Sequence, residues 1–203
     1  MKIHISKNQI DTCPVKVMQK QIKILGIAGS LRKGSYNRAT LRAAQKLVPD
    51  NVTLEIFELD KIPPFSEDME KQLPESVANL KEKIRLADAI LFVTPEYNKS
   101  IPGILKNAID WATRPYGDNS WDSKPAAIMG ATVGMLGTAS AQYHLRTVCV
   151  NLNVYPLIRP EVMISNATEK FDKDGNLTDQ KTREKIKELV DALVSWTIKY
   201  QKV

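Results

Sequence analysis

Two kinds of segment alternate along this chain, and the alternation restricts what it can fold into. The run Ala89–Val93 is apolar on both faces, which is typical of a central strand in a parallel sheet. Ile22–Ala28 and residues 125–129 are similar runs. Each run is followed by a loop and then by a segment whose apolar residues recur at helical spacing. Strands and helices in this order predict a doubly wound α/β fold.

Two further strands complete the pattern. Residues 52–56 alternate between apolar and polar side chains, which indicates a half-buried strand near an edge. The segment 155–164 contains Pro156 and Pro160, which are tolerated in an edge strand but not inside a sheet. We therefore predict a five-stranded parallel sheet in a three-layer α/β/α arrangement, with Ser100 as the N-cap of the third helix. The five predicted helices cover approximately 37–48, 74–87, 101–112, 141–152 and 186–197.

The chain length of 203 residues suits one domain with a sizeable core. Residues 1–17 do not fit the alternating pattern, so we predict a poorly ordered or surface-lying N-terminal appendage there. The single domain is then predicted to cover residues 18–203.

Composition and charge exclude several classes of partner. No run approaches the roughly 18 to 20 apolar residues of a membrane-spanning helix. The net charge of +6 favours anionic small molecules, but the Lys and Arg residues are interspersed with Asp and Glu, and only 6% of residues are aromatic. We therefore predict neither a membrane nor a nucleic-acid partner. Two cysteines without a C-x-x-C motif, and no secretory leader pattern, predict a reduced cytoplasmic setting.

The loop that follows the first strand has the composition of an anion site. It runs from Gly26 to Arg38 and combines glycines, hydroxyl side chains and three cations just before a helix. Backbone N–H groups and a helix N-terminus attract phosphate in such a turn. The alternative is an ordinary turn in which Ser35 or Asn37 only caps the helix. Neither G-x-x-x-x-G-K-[ST] nor G-x-G-x-x-G is present, so nucleotide triphosphatase and dinucleotide fingerprints are excluded.

Two more loops follow the third and fourth strands, at the edge of the sheet where ligands bind in such folds. Residues 95–100 place an aromatic ring and a short amide there, although a simple capped turn would have the same composition. Residues 130–138 are rich in Gly, Thr and Ala, which lets a flat ligand approach the backbone closely, although a flexible turn is equally common. A phosphate cradle, an aromatic wall and a thin backbone floor would together suit a phosphorylated planar heterocycle such as FMN.

At this point the chain resembles a known family. Residues 29–37 are similar to the phosphate loop of the NADPH-dependent FMN reductases, a flavodoxin-like family that includes soluble quinone and chromate reductases. Residues 94–111 resemble the family's isoalloxazine loop with its following helix, and residues 141–146 the start of its fourth helix. The resemblance runs from about residue 22 to about residue 164.

The resemblance implies a set of cofactor-binding residues. Ser30, Arg32, Ser35 and Asn37 would hold the FMN phosphate, and Pro95–Asn98 would line the flavin ring, with Glu96 and Tyr97 nearest to the chemistry. Backbone groups around Ala131 and Thr132 would contact the ring edge. The full implied set is Ser30, Leu31, Arg32, Lys33, Gly34, Ser35, Tyr36, Asn37, Pro95, Glu96, Tyr97, Asn98, Ala131 and Thr132.

The sequence departs from the family pattern in one loop. Many relatives carry a Gly-Gly-x-Arg run after the fourth strand, whereas this chain has Gly137-Thr138-Ala139-Ser140. The departure concerns the acceptor pocket or a subunit interface rather than FMN binding itself.

The resemblance also implies an activity. Hydride would pass from NADPH or NADH to N5 of FMN, and then to a quinone, a free flavin, an azo dye or chromate, in a ping-pong scheme. It implies a homodimer or homotetramer. Two alternatives stay open at this stage: a non-catalytic electron carrier of the flavodoxin type, although those are typically strongly acidic, and a regulatory module that binds no flavin.

Overall fold

The parallel sheet predicted from the sequence is present in the computed structural model, which describes residues 21–201. The strand order is β2-β1-β3-β4-β5, with β6 also paired to β4, and all pairs are parallel. The strands are β1 (Ile22–Ala28), β2 (Val52–Phe57), β3 (Ala89–Val93), β4 (Pro125–Ala131), β5 (Tyr155–Pro156) and β6 (Val162–Ile164). The helices are α1 (Tyr36–Gln45), α2 (Glu75–Leu86), α3 (Gly103–Ala112), α4 (Ala139–Leu152) and α5 (Gln180–Tyr200).

Helices cover both faces of the sheet, so the predicted three-layer arrangement is confirmed. Buried side chains of α1 and α5 form one core with the sheet, and those of α2, α3 and α4 form a second core on the opposite face. Because β3 lies between both cores, all five of its residues are buried. Strand β2 alternates at its start between buried and exposed residues, as expected of an edge.

The fifth sheet position differs in detail from the prediction. It is occupied by two short strands, β5 and β6, rather than by one interrupted strand across residues 155–164. Pro156 lies inside β5, where the N–H groups donated toward β4 come from its neighbours Tyr155 and Leu157. Pro160 lies between the two pieces and has no N–H to donate to β4. Both pieces pair with β4 at the edge where the prolines were expected.

The start of α3 differs from the prediction, because a tight turn precedes the helix and the periodicity of the sequence does not indicate it. Ser100 is not the N-cap of α3, because it closes a tight turn with Tyr97 and the helix begins at Gly103, after Pro102. Pro102 is the N-cap in extended backbone with φ of −65°, the value to which the proline ring restricts it.

Two observations concern the limits of the described chain. The predicted appendage at residues 1–17 lies outside the described residues, so the division at residue 18 stays a prediction. Among residues 21–201, no helix is both long and apolar enough to cross a bilayer.

Candidate functional site

The loop after β1 packs closely against the sheet and then opens α1. The N–H of Gly29 donates to the carbonyl of Val93 at 2.9 Å, which extends the pairing of β1 with β3 by one residue. The Ser35 hydroxyl is the N-cap of α1 and accepts a long hydrogen bond from the Arg38 N–H at 3.4 Å. A hydroxyl that accepts in this way keeps its own proton for another acceptor. The capping role and the phosphate-binding role predicted for Ser35 are therefore compatible.

The cations of this loop have different surroundings. The guanidinium of Arg32 lies 5.6 Å from the centre of the Tyr36 ring on the exposed side of the loop. Arg38 is paired instead with the carboxylate of Glu58 at 2.7 Å. Lys33 is exposed. Arg32 is thus the cation of the loop that is held beside the start of α1 without an acidic partner in the described chain.

Asn37 has a structural role that the sequence did not indicate. Its amide donates from Nδ2 to the carbonyl of Ala131 and accepts at Oδ1 from the N–H of the same residue, both at 2.8 Å. Both residues are buried. The side chain therefore joins the start of α1 to the end of β4, and so fixes the distance between two walls of the site. Asn37 also lines the cavity, and its contact with a phosphate stays a prediction.

Replacing Asn37 by alanine is expected to lower the free energy of unfolding by about 2 kcal/mol, because it strands two buried backbone groups of Ala131. Urea unfolding of the flavin-free protein measures this. Asn79→Ala, an exposed substitution within α2, is the control and is expected to change stability by less than about 0.5 kcal/mol. Equal stability of the two variants would contradict the assigned role.

The loop after β3 forms a tight turn that presents an aromatic ring. Tyr97 and Ser100 exchange two backbone hydrogen bonds of 3.0 Å, and Asn98 and Lys99 between them have φ of 52° and 59°. Positive φ at both central residues is the geometry of a type I′ turn, in which asparagine is favoured. Tyr97 is 55% exposed at the start of this turn, whereas the preceding Pro95 is buried.

Glu96 connects the same loop to α4. Its Oε2 accepts from the N–H of Ala141, in the first turn of the helix, at 3.1 Å. Four residues after Glu96, the Ser100 hydroxyl lies 2.7 Å from Nδ1 of His144 on the same helix. The Glu96 carboxylate is thus bound to protein rather than free beside the ring site.

The loop after β4 offers fewer backbone donors than the sequence led us to expect. The N–H of Ala131 donates to Asn37, and the N–H of Thr132 donates to the carbonyl of Ile164 at 2.9 Å. These two N–H groups are therefore already bonded within the protein, while contact of the backbone around Ala131 and Thr132 with a ring edge stays a prediction. The next residue, Val133, has an N–H with no acceptor among residues 21–201, and it takes over the position of candidate donor.

The run that departs from the family pattern builds the entry to α4. Gly137 has a φ of 63°, a conformation that favours glycine, and a Cβ there would lie 2.7 Å from Cβ of Met163. Thr138 is fully buried, and its Oγ1 accepts from Nε2 of Gln142 at 3.1 Å. Thr138 therefore contributes to packing in this chain.

The three loops meet at one cavity of about 260 Å³ at the carboxyl edge of the sheet. The cavity lies where β1 and β3 are neighbours although β2 lies between them in sequence, the position at which doubly wound sheets bind ligands.

The wall of this cavity contains most of the predicted site residues. Four predicted residues lie outside it: Leu31, Lys33, Gly34 and Asn98. Val133 is in the wall but is not among the residues predicted from the sequence. The composition of its Gly-rich loop does not indicate which of its residues would line a site. The wall consists of Ser30, Arg32, Ser35, Tyr36, Asn37, Pro95, Glu96, Tyr97, Ala131, Thr132 and Val133.

Cysteine chemistry is disfavoured for the one cysteine that the structure describes. Cys149 on α4 is fully buried, and burial raises the pKa of its thiol to about 12. The thiolate is the reactive form of cysteine, so at neutral pH this side chain is inert. Cys13 lies outside the described residues.

Comparison with known proteins identifies the family. The sequence profile of the NADPH-dependent FMN reductases matches residues 22–169, most of the chain. The chain belongs to the NADPH-dependent FMN reductase family. Membership makes it a flavin-dependent NAD(P)H oxidoreductase, as the resemblance in the sequence implied.

Individual relatives of this FMN reductase family member agree. It is 52% identical over 180 residues to an NAD(P)H-dependent FMN reductase of Pseudomonas aeruginosa, covering 88% of this chain and 97% of that one. It is 39% identical to a 2-hydroxy-1,4-benzoquinone reductase of a Burkholderia species, covering 86% of this chain and 96% of the other. Among solved structures, FerB, a flavoenzyme NAD(P)H:(acceptor) oxidoreductase of Paracoccus denitrificans, superposes with a TM-score of 0.82 at 40% identity, covering 88% and 98% of the two chains.

The residues of the cavity fit FMN. A phosphate requires cations and hydrogen-bond donors, which Arg32, Ser30 and Ser35 supply beside the N-terminus of α1. A flavin ring requires a flat apolar wall, which Pro95 and Tyr97 supply. The one carboxylate in the wall is bonded to α4, so it does not face the ring site unpaired.

Proposed function

We propose that this protein binds FMN in the cavity at the carboxyl edge of the sheet and transfers reducing equivalents from NADPH or NADH to quinones. The proposal depends on one observation: a single cavity is lined both by the cation and hydroxyls before α1 and by the side chains of Pro95 and Tyr97. The names of the related quinone and FMN reductases support it.

The side chains of the chain divide the work of holding the cofactor. Ser30, Arg32 and Ser35 would bind the phosphate, and Asn37 would keep α1 and β4 at the right separation. Pro95 and Tyr97 would support the ring. Bound FMN would supply the hydride chemistry, accepting from the nicotinamide and donating to the acceptor.

The open side of the cavity supports alternate use by two substrates. Tyr97 and Val133, on opposite loops, are 55% and 60% exposed, so the wall is incomplete toward solvent. One opening serves the nicotinamide donor and then the acceptor, which is a ping-pong scheme. The net charge of +6, with Arg32 exposed in the cavity wall, would attract an anionic dinucleotide.

The proposal predicts that the purified protein takes up FMN and that NADPH or NADH alone bleaches the bound flavin under anaerobic conditions. Quinone, azo dye, chromate and free FMN are then added separately as acceptors, and oxidation of the nicotinamide is recorded. Failure to take up FMN would refute the proposal. Flavin that binds but is reduced only by a partner protein would favour the electron carrier instead.

We also propose a homodimer or homotetramer that uses α4. Met135 and Leu136 in the loop before α4 are 85% and 81% exposed, and Tyr143 and Val150, seven residues apart on one face of the helix, are 52% and 80% exposed. Exposed apolar surface of this kind commonly marks an interface. Val150→Asp is expected to shift the mass measured by light scattering from two or four chains to one. An unchanged mass would exclude this face.

The compartment that we propose is the reduced cytosol. Its support is the cysteine usage: two cysteines in the whole sequence, of which Cys149 is buried and unpaired. Localisation of a tagged full-length chain tests the assignment, and a secreted or membrane-bound signal would contradict it.

A further inference from the structure

We infer that Glu96 is a positioning residue that ties the turn carrying Tyr97 to the first turn of α4 and thereby sets one wall of the cavity. The inference rests on the proposed function, because this wall is the one proposed to support the flavin ring. It goes further, since it assigns a task to a side chain that lines the cavity without serving as a ligand.

The need for such a residue follows from how α4 begins. The first N–H groups of any helix lack partners within the helix, and a side chain at the N-cap commonly accepts from one of them. In α4 the N-cap residue is Thr138, whose side chain makes no capping bond. Its hydroxyl accepts from Gln142 instead. The helix start therefore depends on an acceptor from elsewhere in the chain.

Glu96 supplies that acceptor from 45 positions earlier in the sequence. Its Oε2 lies 3.1 Å from the N–H nitrogen of Ala141. A carboxylate at a helix N-terminus is also favoured by the helix dipole. Glu96 lies between the buried Pro95 and the exposed Tyr97, so its bond to α4 also holds this loop against the helix.

A second bond holds the far end of the turn to the same helix. The Ser100 hydroxyl and Nδ1 of His144 are 2.7 Å apart, and His144 lies three residues after Ala141. Two backbone bonds between Tyr97 and Ser100 make the turn between these two ties a rigid unit. The Tyr97 turn therefore follows any shift of the start of α4.

The first experiment measures amide hydrogen exchange at Ala141 in the flavin-free protein. Glu96→Ala is expected to speed exchange about tenfold, because the amide loses its acceptor. Glu96→Gln keeps an acceptor oxygen at the same length and is expected to stay within about threefold of wild type. The matched control is Glu75→Gln, which removes an exposed carboxylate from the first turn of α2 and should leave Ala141 unchanged.

The second experiment follows the loaded protein. Glu96→Ala is expected to slow single-turnover reduction of FMN by NADPH about tenfold through misplacement of the wall. FMN affinity should stay within about threefold, because the phosphate ligands are on another loop. The visible circular dichroism of the flavin should change in Glu96→Ala and return in Glu96→Gln. Rescue by glutamine distinguishes a positioning bond from an effect of charge.

Two results would overturn the inference. One is an unchanged exchange rate at Ala141 in Glu96→Ala, which would mean that the bond does not hold the helix start. The other is faster exchange with unchanged flavin reduction and dichroism, which would mean that the tie does not set the wall. If wild type takes up no FMN, the proposed function fails, whereas exchange in the flavin-free protein still decides whether Glu96 holds the loop.

Discussion

Gly130→Ala is expected to lower the free energy of unfolding by about 3 kcal/mol or more, enough to leave a typical domain marginally folded. Gly130 lies near the end of β4, between the end of β3 and the start of α4. A Cβ there would overlap the carbonyl oxygen of Thr94 and Oγ1 of Thr138. Both threonines are fully buried. The Thr94 carbonyl belongs to the backbone of the sheet, so it cannot move aside as a flexible side chain would.

Urea unfolding of the flavin-free variants measures this effect. Gly34→Ala is the matched control, because a Cβ at Gly34 meets nothing within 4 Å, and it is expected to change stability by less than about 1 kcal/mol. The double variant Gly130→Ala, Thr138→Ala should recover only part of the loss, since the Thr94 carbonyl remains. A Gly130→Ala protein as stable as Gly34→Ala would refute the steric argument.

The missing side chain at Gly130 matters for the cavity as well as for the packing of the fold. Gly130 precedes Ala131, which lines the cavity and is bonded to Asn37. Absence of a side chain at Gly130 lets the ends of β3 and β4 and the start of α4 approach one another. The same approach brings the loop after β3 next to the loop after β4.

The sheet was predictable because its signals are local. Ala89–Val93 is buried on both faces and reads as apolar throughout, so its central place follows from its own five residues. The prolines near β5 likewise indicate an edge strand, but they do not predict that this strand is divided into β5 and β6. The stripe predicted from Ile186 and Leu189 for the last helix is buried in α5.

The connections between the loops were not predictable in the same way. Asn37 and Ala131 are 94 positions apart, and an asparagine before a helical segment indicates only a candidate cap. Whether its amide binds the local turn or a distant backbone depends on how closely α1 packs against β4. The bond from Glu96 to Ala141 is of the same kind. Residues of the cavity wall could thus be predicted from the sequence, while the bonds that individual side chains make depend on the packing.

Replacing Arg32 by alanine together with Ser35 by glycine is expected to weaken FMN binding about 100-fold. A hydrogen bond to a charged group contributes about 1.5 to 3 kcal/mol and one from a neutral hydroxyl about 0.5 to 1.5 kcal/mol. Every 1.4 kcal/mol is about a tenfold change in affinity. Glycine is chosen at Ser35 because it caps a helix almost as well as serine, so α1 is retained while the hydroxyl is lost. Titration of flavin fluorescence measures the affinity.

Riboflavin separates loss of phosphate contacts from general damage to the cavity, because it has the ring without the phosphate. Its affinity should be the same within about threefold in wild type and in the double variant. Lys33→Ala, which removes an exposed cation of the same loop from outside the cavity wall, should change FMN affinity by less than about threefold, since exposed charges are screened. Equal losses for riboflavin and FMN, or unchanged FMN affinity in the double variant, would show that this loop does not bind the phosphate. The start of α1 would then be a capped turn, and the anion site would have to lie elsewhere.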